Sequence, residues 1–204
     1  MKKILIICIF LSIGLITNAQ NKNLYLVTDI GKSYAIEDYK YFTVKNKYVV
    51  SARIGVGFEY KLNNYLSFNS ALCFSNDGYR PISSDSLKIL DINFYIDNPL
   101  LITFKFKKES WFSASSGVIN KLHIFNYQYV VDKRNNLYID SFSYNKFVET
   151  YILGFYFGFN YQLSKKIILS TYFTRDLTPN LVFEPITRKN LAIMASFKLK
   201  ISKN

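Results

Sequence analysis

Residues 151 to 162, YILGFYFGFNYQ, alternate strictly: Tyr151, Leu153, Phe155, Phe157, Phe159 and Tyr161 are large and apolar, while Gly154, Gly158, Asn160 and Gln162 between them are small or polar. Side chains of a strand point to opposite faces with a period of two, so this segment has one oily face and one lean face. The pattern recurs along the chain. Ala52, Ile54, Val56, Phe58, Tyr60 and Leu62 oppose Arg53, Gly55, Gly57, Glu59 and Lys61. Ile92, Phe94, Ile96, Leu100, Ile102, Phe104 and Phe106 oppose Asn93, Tyr95, Asp97, Thr103 and Lys105. Near the end, Leu191, Ile193, Ala195, Phe197, Leu199 and Ile201 oppose Ala192, Met194, Ser196, Lys198 and Lys200. Seventeen Tyr and 18 Phe against four Pro and eight Gly suit strands throughout.

Counting the alternation predicts eight strands, at 24–36, 48–62, 65–76, 89–106, 111–128, 147–162, 166–177 and 188–201. Short polar turns (Asn63-Asn64, Lys107 to Ser110, Ser164-Lys165) alternate with long segments at 37–47, 77–88, 129–146 and 178–187. Short turns at one end and long loops at the other are the mark of an eight-stranded antiparallel up-and-down transmembrane β-barrel in a Gram-negative outer membrane, with both termini periplasmic. Past residue 20 no run approaches the roughly 18 apolar residues of a spanning helix. For the same reason Gly154 and Gly158 do not mark a helix–helix contact. A soluble ligand-binding barrel also has eight alternating strands. Its large residues would face inward, however, and Phe and Ile from every strand would overfill the interior.

The first 19 residues carry Lys2 and Lys3, an apolar run from Ile4 to Ile16 and small residues at Thr17 and Ala19, which predicts a cleavable signal peptide followed by one barrel domain over 20–204. Cys73 is then the one remaining cysteine, so no internal disulfide is expected. The net charge of +12 stays strongly basic without the leader. For an exported chain this fits outer-membrane lipid and lipopolysaccharide phosphate, not nucleic acid.

Chemical motifs are sparse. His123 is the single histidine, with Asp140, Ser141 and Ser143 in the following segment; nucleophilic catalysis needs these atoms within hydrogen-bond reach, and the spacing does not impose it. One His and one mature Cys leave no zinc set, and Glu37-Asp38, Asp85 and Asp91 read as solvated loop carboxylates. Arg53-Ile54-Gly55-Val56-Gly57 has two glycines of a dinucleotide fingerprint but no helix to follow. The sequence therefore predicts no enzyme, cofactor or metal. Gly55, Gly57, Gly154 and Gly158 instead fall on the inward face, small beside large, with Arg53, Glu59, Asp97, Lys105 and Lys198 as lumen charges expected to pair across a filled interior. Such an interior argues against a general porin.

The segments RIGVGFEYKLNNYLSFNSALCFSNDGYR (53–80), FYIDNPLLITFKF (94–106) and LGFYFGFNYQLSKKIILSTYFTRDLTPNL (153–181) resemble the PorT-like outer-membrane β-barrel family, with Asn98-Pro99-Leu100-Leu101 at the place of that family's I-P-L-L-type strand. The resemblance implies fold and location. Its name-giving members take part in an envelope protein-secretion system, so an accessory secretion role is the alternative to a structural or partner-binding one. A lipid-modifying enzyme is the more distant alternative.

From His123 the strand pattern continues beyond a membrane's thickness, turns at Asp132 to Asn136 and returns through Leu137, Tyr138 and Ile139. The reading is an extracellular hairpin whose Phe125, Tyr127, Tyr129, Tyr138, Phe142 and Tyr144 present an aromatic partner-binding surface among the long loops.

Overall fold

The computed structural model describes residues 22–38, 43–45, 47–80, 87–107, 110–132, 137–140, 150–179, 181–183 and 186–201. Eleven strands lie among them: β1 (Lys22–Asp38), β2 (Thr43–Lys45), β3 (Val49–Lys61), β4 (Leu66–Tyr79), β5 (Leu87–Lys105), β6 (Phe112–Asp132), β7 (Leu137–Asp140), β8 (Tyr151–Gln162), β9 (Ile167–Asp176), β10 (Leu181–Phe183) and β11 (Ile186–Lys200). Eight of them, β1, β3, β4, β5, β6, β8, β9 and β11, pair in sequence order, and β1 closes on β11 from Tyr25 opposite Lys200 to Asp38 opposite Thr187. This is the eight-stranded antiparallel up-and-down transmembrane barrel that the alternation predicts. The short β2, β7 and β10 extend β1, β6 and β11 at the long-loop end.

The faces divide as the alternation demands. Ile54, Val56, Leu72, Ile102, Phe104, Phe155, Phe157, Phe159, Ile193 and Phe197 are exposed on the outside, whereas Arg53, Asp97, Tyr156, Tyr172 and Met194 are buried within. No backbone polar group can stay unpaired in hydrocarbon, so an apolar outward face of this extent calls for a sheet without edges, which the β1–β11 pairing provides. At the short-turn end, Phe104, Phe106, Phe112 and Phe159 pack ring to ring, with neighbouring centroids 5.6–5.7 Å apart, beside exposed Tyr65, Trp111 and Tyr161. This is an interfacial girdle. The turns themselves are held by side chains: Asn63 Oδ1 accepts from the Tyr65 and Leu66 amides, and Ser164 Oγ accepts from those of Lys166 and Ile167.

Two departures from regular pairing lie on one arc of the wall. Ser70 stands opposite Leu100 and Cys73 opposite Asp97, but the ladder lapses between them, where Pro99 offers no N–H to the Ala71 carbonyl. Asn98 Nδ2 supplies the missing donor, at 2.8 Å from that carbonyl, and a second hydrogen bond to Ser70 Oγ at 3.2 Å. The polar seam continues across the outer side of the wall, from Asn120 Nδ2 to the Asn98 carbonyl (3.0 Å) and from the Tyr151 hydroxyl to Asn120 Oδ1 (2.5 Å). The second departure is a β-bulge. Phe94 faces Phe125 and Tyr95 faces His123, leaving Ile124 as the extra residue.

Candidate partner-binding arm and lumen

Strand lengths make the barrel lopsided. β8 and β9 have 12 and 10 residues, close to the roughly 9 to 11 that cross a bilayer. β5 and β6 have 19 and 21. β6 pairs with β8 only from Phe112 to Leu122; His123 N still donates to the Thr150 carbonyl, and above that β6 takes β7 as its neighbour over Gln128–Val131. The surplus forms a three-stranded arm, β5–β6–β7, at the long-loop end.

The bulge decides what the arm displays. In unbroken alternation, Phe125 and Tyr127 would share the inward face of Lys121 and His123. The extra residue Ile124 resets the phase, so His123 and Asn126 point into the lumen, both buried, while Phe125 and Tyr127 turn outward. There Phe125 stacks on Phe94 at 4.6 Å, Phe94 on Phe74 at 5.7 Å, and Tyr127 stands edge-on to both Phe94 and Phe125. Tyr129 occupies β6 opposite Leu90 and Ile139, and Tyr138 occupies β7 opposite Val130. Phe142 and Tyr144 lie outside the described residues, as do Ser141 and Ser143. His123 rests edge-on against the Tyr95 ring, 5.5 Å between centroids. Phe74 and Phe94 belong to this outward aromatic cluster; the period-2 pattern puts Phe94 on the oily face, but neither residue was assigned to the partner surface.

The lumen is filled in tiers. At mid-height Asp29 accepts from Arg53 Nε (2.5 Å) and from the Tyr172 hydroxyl (2.7 Å), and Tyr156 stacks on Tyr172 at 4.6 Å. Leu101, Ala192 and Met194 pack against these rings to form a plug. Its tightness explains the glycine at 158: a Cβ there would collide with Cβ of Tyr172, the cross-strand neighbour. Towards the loops, Lys121 Nζ sits 2.9 Å from Asp176 and 3.2 Å from Asp77, and Arg188 lies between Glu37 (3.2 Å) and Asp91 (3.7 Å). Asp97 is buried beside Lys121, its cross-strand partner. Towards the turns a cavity of about 250 Å³ is lined by Glu59, Lys61, Lys105, Lys165, Lys198 and Lys200 among others. Glu59 Oε2 accepts from Asn23 Nδ2 and the Tyr25 hydroxyl.

Of the five expected lumen charges, Arg53 pairs with Asp29, and among the described residues Glu59, Asp97, Lys105 and Lys198 face inward without pairing with one another. The acidic partners Asp29, Asp77 and Asp176 are residues that sequence reasoning missed, and Glu37 and Asp91, read there as solvated loop carboxylates, are instead buried beside Arg188. Asp29, Asp77 and Asp176 each sit at an inward position, but on strands whose inward faces also carry Tyr25, Val27, Tyr172 or Cys73, which blurs the polar alternation.

No family model matches the chain, and no curated protein matches it in sequence. Among solved structures it is similar to Neisserial surface protein A, at 14% identity over 87% of this chain and 97% of that one, with a TM-score of 0.52. The attachment invasion locus protein Ail of Yersinia pestis (9% identity, 87% and 99% covered, TM-score 0.43) and the outer membrane protein OprG of Pseudomonas aeruginosa (12%, 90% and 97%, 0.40) are more distant in shape. At such identities the likeness is one of fold, and the chain accordingly has the fold of the small outer-membrane β-barrels.

Proposed function

We propose that this chain is a non-enzymatic outer-membrane protein that binds a partner protein through the β5–β6–β7 arm, with its termini and short turns on the periplasmic side. One observation carries the reading. β5 and β6 run well past what a bilayer requires, and the bulge at Ile124 turns Phe125 and Tyr127 outward onto the Phe74–Phe94 stack. Stacked aromatics supply contact area at low entropic cost, and a strand carried beyond the barrel offers backbone groups to an incoming strand. The filled lumen supports a role other than general diffusion. Lipid, including lipopolysaccharide, is the partner of the outward apolar face of this basic chain.

Deleting residues 130–139 tests the reading. The barrel should remain folded and heat-modifiable on a gel, and photocrosslinks from position 127 to envelope proteins should disappear; unchanged crosslinks would refute the arm as the working surface. The resemblance to PorT-like proteins supports a narrower version, in which the captured partner belongs to a protein-secretion apparatus. In that case the same deletion should lower secretion of cargo into the medium, and normal secretion would leave only the general partner-binding reading.

A further inference from the structure

Among the described residues, every lumen cation above the vestibule meets a carboxylate: Arg53 with Asp29, Lys121 with Asp77 and Asp176, Arg188 with Glu37 and Asp91. The cavity at the turn end is different. Lys61 comes from β3, Lys105 from β5, Lys165 from the β8–β9 turn, and Lys198 and Lys200 from β11, all lining one space of about 250 Å³. Among the described residues, Lys61, Lys105, Lys165 and Lys198 have no carboxylate within ion-pair distance. The one acid in the lining, Glu59, is engaged by Asn23 and Tyr25 instead. Convergent like charges repel, and low-dielectric walls focus their field on the space they enclose, which favours a counter-anion there.

We infer that this vestibule binds a compact, multiply charged, phosphate-bearing anion from the aqueous phase on the turn side. The donor set points to phosphate chemistry. The lining contains lysines and no arginine; ammonium groups act as point charges that gather around a polyanion from several directions, whereas planar carboxylates are matched by the guanidinium fork. Four unpaired ammonium groups also exceed what one carboxylate would neutralise. A soluble anion fits better than a lipid headgroup, because the lysines line the lumen, whereas the stacked Phe106 and Phe112 rings are exposed on the outer face. The inference concerns the opposite end of the barrel from the arm and does not depend on it.

The test is calorimetric titration of inorganic pyrophosphate into the refolded full-length barrel in uncharged detergent. Saturable one-to-one binding is expected, weakening as salt rises. Lys105→Gln/Lys198→Gln should raise Kd about tenfold, as should Lys61→Gln/Lys165→Gln, whose exposed side chains spare the packed interior. Lys107→Gln, exposed and outside the cavity lining, should leave Kd unchanged. Folding of each variant is checked by heat-modifiable migration. No pyrophosphate binding by the wild type, or wild-type affinity retained in both double variants, would overturn the inference. So would a response confined to phosphatidylglycerol vesicles, which would assign the lysines to a headgroup surface.

Discussion

The β8–β9 arc and the β4–β6 arc do the same job by different means. β8 and β9 alternate without a fault: the outward side chains of β8, Phe155, Phe157 and Phe159, are exposed, while the inward ones, Tyr156, Asn160, Tyr172 and Thr174, are buried, and neither strand exceeds 12 residues. The β4–β6 arc is longer, loses a ladder hydrogen bond at Pro99, repairs it with Asn98, and shifts phase at Ile124. Regular alternation is all that a bilayer asks of a strand. Irregularity collects where the sheet also has to rise above the bilayer and aim side chains, as bulges commonly do.

The mid-lumen plug joins the two arcs to β1 and β3, so breaking it should cost most. Removing the carboxylate in Asp29→Ala leaves the Arg53 guanidinium, buried at 6% exposure, without its ion-pair partner, an expected loss of roughly 3 to 5 kcal/mol. The Asp29→Leu/Arg53→Met pair, which removes both charges, should recover most of that stability in urea-dependent unfolding. If Asp29→Ala alone unfolds at the wild-type midpoint, the plug does not hold the arcs together.

The regular arc comes next. Phe157, on the outward face near the middle of β8, should cost roughly 2 to 4 kcal/mol when replaced by Arg, because the charge would sit within hydrocarbon. A small effect measured in lipid vesicles would mean that this face is not lipid-solvated. On the irregular arc, Asn98→Leu removes the donor to the Ala71 carbonyl and should cost roughly 1 to 3 kcal/mol. Adding Pro99→Ala restores a backbone N–H opposite Ala71, so the double variant should regain part of the loss. Additive losses would separate Asn98 from the gap in the ladder.

The contrast between the arcs also explains what was legible in the sequence. All eight barrel strands could be read from period-2 patterning, since a face solvated by lipid tolerates few exceptions. The inward and outward assignments of Phe104, Phe157, Glu59 and Lys198 followed from the same rule. The bulge could not be read, because one extra residue leaves the composition unchanged and merely exchanges the faces of Phe125 and Asn126. Nor could the partner of Arg53. Which inward side chains meet depends on barrel stagger, a property of the closed sheet that no single strand encodes, and Asp29 lies 24 residues from Arg53 while Tyr172 lies 143 from Asp29.

The smallest effect on stability should accompany the largest effect on partner binding, and it distinguishes an arm that recognises from one that only braces. Phe125 is half-buried, stacked on Phe94 and touched edge-on by Tyr127. Removing its ring deletes aromatic contacts worth about 0.5 to 1.5 kcal/mol beyond area burial, well below the cost expected at Asp29 or Phe157. Because the ring faces outward above the last β6–β8 pairing, the closed barrel beneath has no need of it. Phe125→Ala should therefore keep a nearly wild-type unfolding midpoint while photocrosslinks from position 127 fall sharply; Phe125→Leu, which keeps apolar bulk without the stack, should fall between the two. Crosslinking that survives Phe125→Ala intact would reduce the stack to a membrane-interface girdle like that of Phe106 and Phe112 at the other end, and the two arcs would then differ in height alone.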